Sequence, residues 1–233
     1  MKNFCQEVFP DLDKNIHKKG WLEGRTILAP TNNEVDALND VMQDWLPETG
    51  IKLSSADTLE NPHDAFRFNS EYLHTLRPNG FPQHILNLKP GMPLMLLRNI
   101  NPRQGLCNGT RLIFDRCLDN KLLQCRIVAS GRVVLIPRIT FIPKPTEYPF
   151  EWQRRQFPVR ASFAISINKS QGQTLKFAGV WLRGQVFTHG QLYVACSRVS
   201  SPLHLKFALM KEPNTNVFQA VNIVFKEVLL KSV

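Results

Sequence analysis

A short apolar segment followed at once by a capped helix is the feature that most constrains the fold of this chain. Residues 25–30 carry an apolar run that ends at a proline, which is typical of a short buried strand. Thr31 and Glu34 then fit a capping box, and apolar residues recur at helical spacing over 35–45. A strand, a tight turn and a helix in this order predict an α/β fold with a parallel sheet.

From residue 88 the apolar period changes to two. Turn-forming pairs stand at 108–109, 119–120 and 130–131, and they separate apolar runs at 92–97, 111–118, 121–128 and 132–137. Hairpin turns at such short and regular spacing predict a small antiparallel β-barrel inserted into the α/β domain.

The α/β pattern resumes after Pro158. It predicts a helix over 161–170, strands at 177–182 and 203–209 with a helix from about 189 between them, and a terminal helix. The apolar face of that terminal helix would carry Val217, Val221, Val224, Phe225 and Val228. The predicted organisation is therefore a first part of the α/β domain with a connector (1–87), the inserted barrel (88–150) and the remainder of the α/β domain (151–233).

Composition excludes several classes of site. The five cysteines include no C-x-x-C pair, and no histidine has metal-ligand spacing, so we expect neither a disulfide framework nor a metal site. This cysteine usage favours a reducing compartment, the cytosol or the nucleus. No apolar run approaches the roughly 20 residues of a membrane helix, so no membrane partner is expected.

Charge is distributed unevenly along the chain. Residues 1–80 hold 8 Lys and Arg against 13 Asp and Glu, whereas residues 81–233 hold 21 against 6. A basic region of this size is typical of proteins that bind nucleic acid. The alternative is that the excess of Lys and Arg only keeps the surface soluble.

Two sequence segments contain residues suited to phosphate contacts: S-I-N-K-S-Q-G-Q-T at 166–174 and Q-L-Y-V-A-C-S-R at 191–198. In the first, Gly172 permits close backbone approach and Lys169 adds positive charge, although a polar loop that closes a helix is the ordinary alternative. In the second, a helix would put Gln191 and Arg198 on one face, and a guanidinium can bond two phosphate oxygens at once. A surface arginine paired with an acid is the alternative for Arg198.

These segments resemble motifs V and VI of the PIF-type (petite integration frequency) DNA helicases of superfamily one. Residues 25–39 resemble the motif IV region of that family, and residues 88–112 are similar to the start of the Src-homology-3-like barrel inserted into its second RecA-like domain. The resemblance covers nearly the whole chain. Asn168, where fungal and bacterial members usually carry His, and the sequence around Asn108 look closest to helicases encoded by Helitron transposons and their eukaryotic relatives.

The resemblance implies a motor with two RecA-like lobes that hydrolyses ATP with Mg²⁺ between them and moves along single-stranded DNA in the 5′-to-3′ direction. This chain matches only the second lobe. By position, Arg198 would be the arginine finger and Gln191 a nucleotide-sensing residue, and Gly172, Gln173 and Arg198 would contact the nucleotide. The residues implied to face the DNA backbone are Thr31, Asn32, Asn168, Lys169 and Ser170.

The sequence has no Gly-Lys pair, which a phosphate-binding P-loop needs, and no Asp-Glu pair for a Mg²⁺-binding motif. In the family the first lobe supplies both. We therefore expect this chain not to hydrolyse ATP alone, but to act with an N-terminal RecA-like lobe in cis or in trans.

The alternative is a non-catalytic remnant of a truncated transposon helicase that binds single-stranded nucleic acid. The N-terminal segment leads directly into the first predicted strand, which favours truncation. Family analogy suggests a monomer in the nucleus, with mitochondria as the other address, and roles in recombination, repair and telomere maintenance.

Overall fold

The computed structural model describes residues 1–16, 18, 20–46, 49–183, 186–210, 219–220 and 222–225. Its α-helices are α1 (Lys2–Val8), α2 (Leu12–Asn15), α3 (Asn32–Asp44), α4 (Ser70–Thr75) and α5 (Gln191–Cys196). Its strands are β1 (Arg25–Ala29), β2 (Ile51–Ser54), β3 (Ala56–Leu59), β4 (Ile85–Leu88), β5 (Pro93–Leu96), β6 (Arg111–Leu118), β7 (Leu122–Ile127), β8 (Val133–Pro137), β9 (Ile139–Phe141), β10 (Trp152–Gln156), β11 (Val159–Ala161), β12 (Ala164–Ser166), β13 (Phe177–Leu182) and β14 (Leu205–Leu209). Short 3₁₀ turns cover Pro62–Phe66, Pro102–Gln104, Ile167–Ser170 and Pro202–His204. Within the described ranges, a helix with the length and apolar character of a membrane span does not occur.

The chain is a mixed α/β protein that divides into two compact units. Unit 1 comprises residues 1–47 and 162–233, and unit 2 comprises residues 48–161. Unit 2 is wider at both ends than the insert predicted at 88–150. The reason is strand pairing: β2 pairs with β4 and β3 pairs with β10, so the strands at both ends of this region find their partners inside unit 2.

Unit 1 is built on a four-stranded parallel sheet in the order β12-β1-β13-β14. The strands predicted at 25–30, 177–182 and 203–209 are confirmed as β1, β13 and β14. In the central strand, Ile27 lies opposite Ala164 of β12 on one side and opposite Gly179 of β13 on the other. A Cβ at Gly179 would overlap Val8 and lie 2.9 Å from Phe4 Cζ, so α1 packs directly on the backbone of β13.

The helix predicted at 161–170 is wrong. The structure has the end of β11, the parallel strand β12 and a 3₁₀ turn in this segment. Ala164 and Ile165 of β12 are both buried, as is Phe163 just before it, so this segment shows no alternation of buried and exposed residues. A short apolar run of this kind has the same periodicity as a buried helical segment.

The capping box predicted at the start of α3 is confirmed. Thr31 Oγ1 accepts a hydrogen bond from Glu34 N at 3.3 Å, and Glu34 Oε2 accepts from Thr31 N at 3.3 Å. Further along, the buried Asn39 donates to Ala164 O at 3.0 Å and accepts from Ala164 N at 2.9 Å. One carboxamide thus satisfies both backbone groups of Ala164 and fixes α3 against β12.

Unit 2 contains antiparallel sheets. The largest has the order β11-β5-β6-β7-β8, and two smaller ones have the orders β3-β10-β9 and β2-β4. The hairpins form at the predicted turns, so β6, β7 and β8 coincide closely with the predicted runs. Lys121 N donates to Leu118 O at 2.9 Å, and the two residues between them, Asp119 and Asn120, have positive φ values of 48° and 54°, as the centre of a type I′ turn requires.

Arg154 is the buried centre of unit 2. Its Nε and Nη2 donate to the Asp57 carboxylate, with the shortest distance, 2.7 Å, from Nη2 to Oδ2. Nη1 donates to Leu76 O at 3.1 Å and Pro82 O at 3.2 Å, and Nη2 donates to Leu73 O at 2.8 Å. A single guanidinium therefore joins β10 to β3, to α4 and to the loop after α4.

The end of the chain is only partly described. The helix predicted from about residue 189 is confirmed as α5, which begins at Gln191. Of the predicted terminal helix, Val217, Val221 and Val228 lie outside the described residues, whereas Val224 and Phe225 are described and are not helical, so the prediction is wrong there. The backbone of this segment bonds to the turn before α5 instead: Phe225 N donates to His189 Nδ1 at 2.9 Å, and Ile223 O accepts from Gly190 N at 3.1 Å.

Candidate functional site

The two sequence segments predicted to contact phosphate both lie in unit 1. They form the loop at 167–174 and the helix α5. After β12 the chain makes the 3₁₀ turn Ile167–Ser170, which the buried Ile167 anchors. Gly172 follows with φ +78°, a left-handed conformation that favours glycine. Glycine is therefore needed here for the path of the loop, whether or not the loop meets a ligand.

Arg198 connects the two segments, 166–174 and 191–198, through hydrogen bonds. Its Nη1 donates to Ser170 O and to Gln173 O, both at 3.2 Å, and its Nε donates to Val194 O at 2.8 Å. Nη2 donates to Ser197 Oγ at 2.8 Å. All of these acceptors are neutral, and in the part of the chain that the structure describes no carboxylate pairs with this guanidinium. The positive charge of Arg198 is therefore held in place but not neutralised.

Gln191 is almost completely buried at the start of α5. Its Oε1 accepts from Phe187 N at 3.1 Å, whereas its Nε2 has no hydrogen-bond partner among the described residues. A buried donor of this kind costs about 1–3 kcal/mol when it is left unpaired. Because α5 ends at Cys196, Gln191 and Arg198 do not share a helix face as predicted: Arg198 lies beyond the helix and turns towards the loop at 170–173.

The thiol of Cys196 lies between these two residues in sequence. Burial raises its pKa, so the thiol stays protonated at neutral pH. We therefore assign it no nucleophilic role.

Residues predicted to face DNA leave the carboxyl ends of two neighbouring strands, since Ala29 of β1 lies opposite Ser166 of β12. Ligands of open α/β sheets bind outside this edge. Asn32 and Asn168 are exposed there, and Lys169 is partly buried. The contact of these three side chains with a phosphate backbone stays a prediction.

Thr31 and Ser170 were predicted in the same role, but the structure uses both hydroxyls internally. Thr31 Oγ1 donates to Glu34 Oε2 at 2.8 Å as part of the helix cap, although the residue is exposed. Ser170 is buried, and its Oγ donates to Ile167 O at 2.6 Å. The short 3₁₀ turn causes this inward orientation, because it brings the carbonyl of Ile167 over the hydroxyl three residues later.

Asp57, His74 and His84 form a cluster in unit 2 that no sequence spacing revealed. Their ligand atoms lie within 4.8 Å of one another, which makes the cluster a geometric candidate for a metal ion. Two features oppose that role. Arg154 already binds the Asp57 carboxylate, and the two imidazole rings stack face to face, 3.6 Å apart at 11°, so their in-plane lone pairs do not converge. His84 Nδ1 also hydrogen-bonds Ser55 Oγ at 2.7 Å.

Comparison with known proteins gives a consistent set of relatives. Residues 71–115 match the family described as DNA helicase Pif1, 2B domain. The human ATP-dependent DNA helicase PIF1 is 33% identical over 150 residues, which cover 59% of this chain and 21% of that protein. The ATP-dependent DNA helicase Pif1 of Bdellovibrio bacteriovorus is 33% identical over 159 residues, which cover 66% of this chain and 35% of that protein.

Among solved structures, the Pif1 helicase from Bacteroides in complex with ADP-AlF3 and single-stranded DNA is similar with a TM-score of 0.65 at 20% identity. That similarity covers 99% of this chain and 48% of the other, and at this identity it shows the fold alone. The matched part of the chain thus spans about a fifth to a third of these curated relatives and about half of the solved one.

Proposed function

The chain is a relative of the Pif1-type DNA helicases and is consistent with their C-terminal half, and from this premise we propose that it is the C-terminal motor lobe of an ATP-dependent DNA helicase. In this proposal unit 1 is the second RecA-like lobe, supported by its four-stranded parallel sheet. Unit 2 contains the Src-homology-3-like barrel, supported by its five-stranded antiparallel sheet. The partner is an N-terminal RecA-like lobe, in the same chain or in trans.

The uncompensated charge of Arg198 carries the assignment of a nucleotide site. A guanidinium that has no carboxylate partner in the described ranges keeps its attraction for an anion, and its planar fork suits a phosphate. The unpaired Nε2 of Gln191 is a second donor that a ligand or the adjoining lobe would satisfy. Gly172 and Gln173 would approach the nucleotide from the same loop. We propose Arg198 as the arginine finger.

The predicted nucleotide residues fit the phosphates of ATP but not its metal. Gln191, Arg198, Gly172 and Gln173 include no carboxylate, and Mg²⁺ takes oxygen ligands with carboxylates foremost. In the proposal this chain contributes positive charge and hydrogen-bond donors. The N-terminal lobe holds Mg²⁺, which would neutralise charge on the phosphates during transfer.

Single-stranded DNA is the proposed second ligand, gripped by Asn32, Asn168 and Lys169 at the carboxyl edge of the sheet. These side chains suit contacts with phosphate and sugar, which carry no sequence information. A motor that moves in the 5′-to-3′ direction needs contacts of this kind because it must bind each nucleotide alike. The excess of Lys and Arg after residue 80 supports a polyanionic ligand.

Reconstitution tests this function. The first lobe of the human relative is joined to the N-terminus of the chain, and ATP hydrolysis is measured with and without single-stranded DNA. We expect no hydrolysis by the chain alone and DNA-stimulated hydrolysis by the fusion. Duplexes with a 5′ or a 3′ single-stranded tail then report the direction of unwinding.

Variants locate the DNA contact. Replacing Asn168 and Lys169 together by alanine should weaken DNA binding and reduce its dependence on salt, whereas the exposed Lys206 on β14 serves as the matched control. Equal losses in both variants would mean that only general surface charge binds DNA.

A non-catalytic module that binds single-stranded nucleic acid is the second candidate. The hydrogen bonds of Arg198 support this second candidate. Each one goes from the guanidinium to a neutral group of unit 1, as in an arginine with a purely structural role. The two candidates separate in the fusion. DNA binding without any restored hydrolysis would select the module.

Cellular context is a further proposal from family analogy. We place the protein in the nucleus, or in mitochondria, with roles in recombination, repair or telomere maintenance, and expect it to act as a monomer. An origin among Helitron transposons is supported by Asn168 and by the sequence around Asn108.

A further inference from the structure

Unit 2 carries four aromatic side chains in contact with one another, Phe68, Tyr72, Tyr148 and Phe150, and the exposed Phe66 is close to them in sequence; the five residues are called here the aromatic patch. Phe68 stacks on Phe150 with ring centroids 4.1 Å apart, and Tyr72 and Tyr148 contact Phe150 at 6.2 Å and 5.9 Å. Phe150 is buried, whereas Tyr72 is 43% exposed and Phe66, two residues before Phe68, is 93% exposed. The patch therefore has a packed base and an open outer face.

Carboxylates lie close in sequence to the aromatic residues of the patch. They belong to Glu60, Asp64, Glu71, Glu147 and Glu151, which lie in the same two segments of the chain. Glu60 N donates to Glu151 O at 3.0 Å, so the backbones of these two residues are neighbours just beyond the paired ends of β3 and β10. None of the five makes an ion pair with any residue that the structure describes.

The local charge is opposite to that of the protein. Segments 59–72 and 144–152 hold five Asp and Glu against two basic residues, Arg67 and Lys144, although the whole chain has a net charge of +10. Negative potential repels a phosphate backbone and attracts cations. The patch is thus unsuited to nucleic acid, even though exposed aromatic rings can stack bases elsewhere.

We propose that the aromatic patch is a docking surface for a protein partner, through a segment that carries both apolar and basic side chains. An exposed aromatic ring surrounded by polar residues is the composition of an interaction site, and aromatic residues supply most of the binding energy at such sites. Phe66 and Tyr72 would anchor the apolar side chains of the segment. The carboxylates would steer and orient its Lys and Arg residues.

Fluorescence anisotropy tests the proposal with the full chain and three labelled probes. The first is a short peptide in which lysine alternates with leucine and tryptophan. The second has glutamate in place of each lysine, and the third is an oligomer of thymidylate. We expect the basic peptide to bind and the acidic peptide not to bind.

Four variants identify the surface. Phe66→Ala should lower the affinity for the basic peptide at least about fivefold. The double variant Glu60→Gln with Glu151→Gln should lower it about two- to fivefold. The matched controls lie in unit 1: Leu203→Ala replaces an apolar side chain that is 83% exposed, and Glu7→Gln with Asp13→Asn removes two exposed carboxylates. Both should leave the affinity unchanged. Because the replaced side chains are exposed, all variants should keep the fold.

Three results would overturn the proposal. Equal losses of affinity in the control variants and in the patch variants would show that the peptide is attracted by general surface charge and not by a specific site. Unchanged affinity of the Phe66→Ala variant for the basic peptide would show that Phe66 does not anchor the peptide. Weaker binding of the oligonucleotide in Phe66→Ala would make the patch a stacking platform for nucleic acid instead.

Discussion

Two arginines, Arg154 in unit 2 and Arg198 in unit 1, make similar hydrogen bonds in different electrostatic settings. Each donates to three backbone carbonyls. Arg154 is completely buried and also binds the carboxylate of Asp57, which is equally buried. Arg198 is only partly buried, and within the described residues its charge meets no carboxylate.

This difference separates a structural arginine from a candidate functional one. A guanidinium removed from water needs a counter-ion, because an unpaired buried charge is strongly destabilising. Asp57 fills that need for Arg154, and no charge is left for a ligand. Arg198 keeps contact with solvent, so it tolerates the absence of a counter-ion and retains its attraction for phosphate.

The largest expected effect is on Arg154. Replacing it by methionine should lower the free energy of unfolding by about 3–5 kcal/mol, because Asp57 would remain as an unpaired buried charge and three carbonyls would lose their donor. Urea denaturation measures this loss. The double variant Arg154→Met with Asp57→Leu should recover part of it, and equal stability of the single and double variants would refute the ion pair as the cause.

A smaller effect is expected at Gly172, whose neighbour Gln173 supplies one acceptor of Arg198. Alanine at this left-handed position should cost roughly 1–2 kcal/mol of stability. Gly131, with φ +69° in the hairpin between β7 and β8, is the matched control because alanine there carries the same strain. Only Gly172→Ala should also reduce DNA-stimulated ATP hydrolysis in the fusion, and equal hydrolysis in both variants would separate the loop from catalysis.

The smallest expected effect is a pH dependence in unit 2. The pKa of His84 is lowered, first by burial and then by the charges of His74 and Arg154, against an opposing attraction by Asp57. The unfolded chain, with a His pKa of about 6.5, therefore binds more protons than the folded one. Stability should be fully present above about pH 6.5 and decrease as the pH falls below it.

The control for this prediction is His84→Gln. Urea midpoints of both proteins are compared at pH 8 and pH 5.5, and the variant should lose less stability on acidification. The same loss in both proteins would mean that other groups cause the pH dependence.

Local patterns made much of the fold predictable. The Thr31 cap and the hairpin turn at Asp119 and Asn120 depend on side chains and backbone angles a few residues apart, and both form where the sequence places them. Strand β12 was missed because it is buried on both faces. Its assignment as a strand depends on its pairing with β1, more than 130 residues earlier in the chain.

The candidate site was predictable only as a set of residues. The motifs identified Arg198, but not that it would lie beyond α5 and bind carbonyls of the loop at 170–173. The stacked pair of His74 and His84 and the role of Arg154 had no signal in the sequence, because their partners are brought together only by the tertiary fold.

Hydrolysis by the fusion carrying Arg198→Ala, measured beside its free energy of unfolding, tests the central claim most directly. The contrast with Arg154 predicts that kcat falls by about 10³-fold or more while stability changes by no more than about 1–2 kcal/mol. Arg183→Ala, which removes an exposed guanidinium that lies over Trp181 in the same unit, should change neither quantity to this extent. Full hydrolysis by the Arg198→Ala protein, or a loss of stability as large as that of Arg154→Met, would contradict the account.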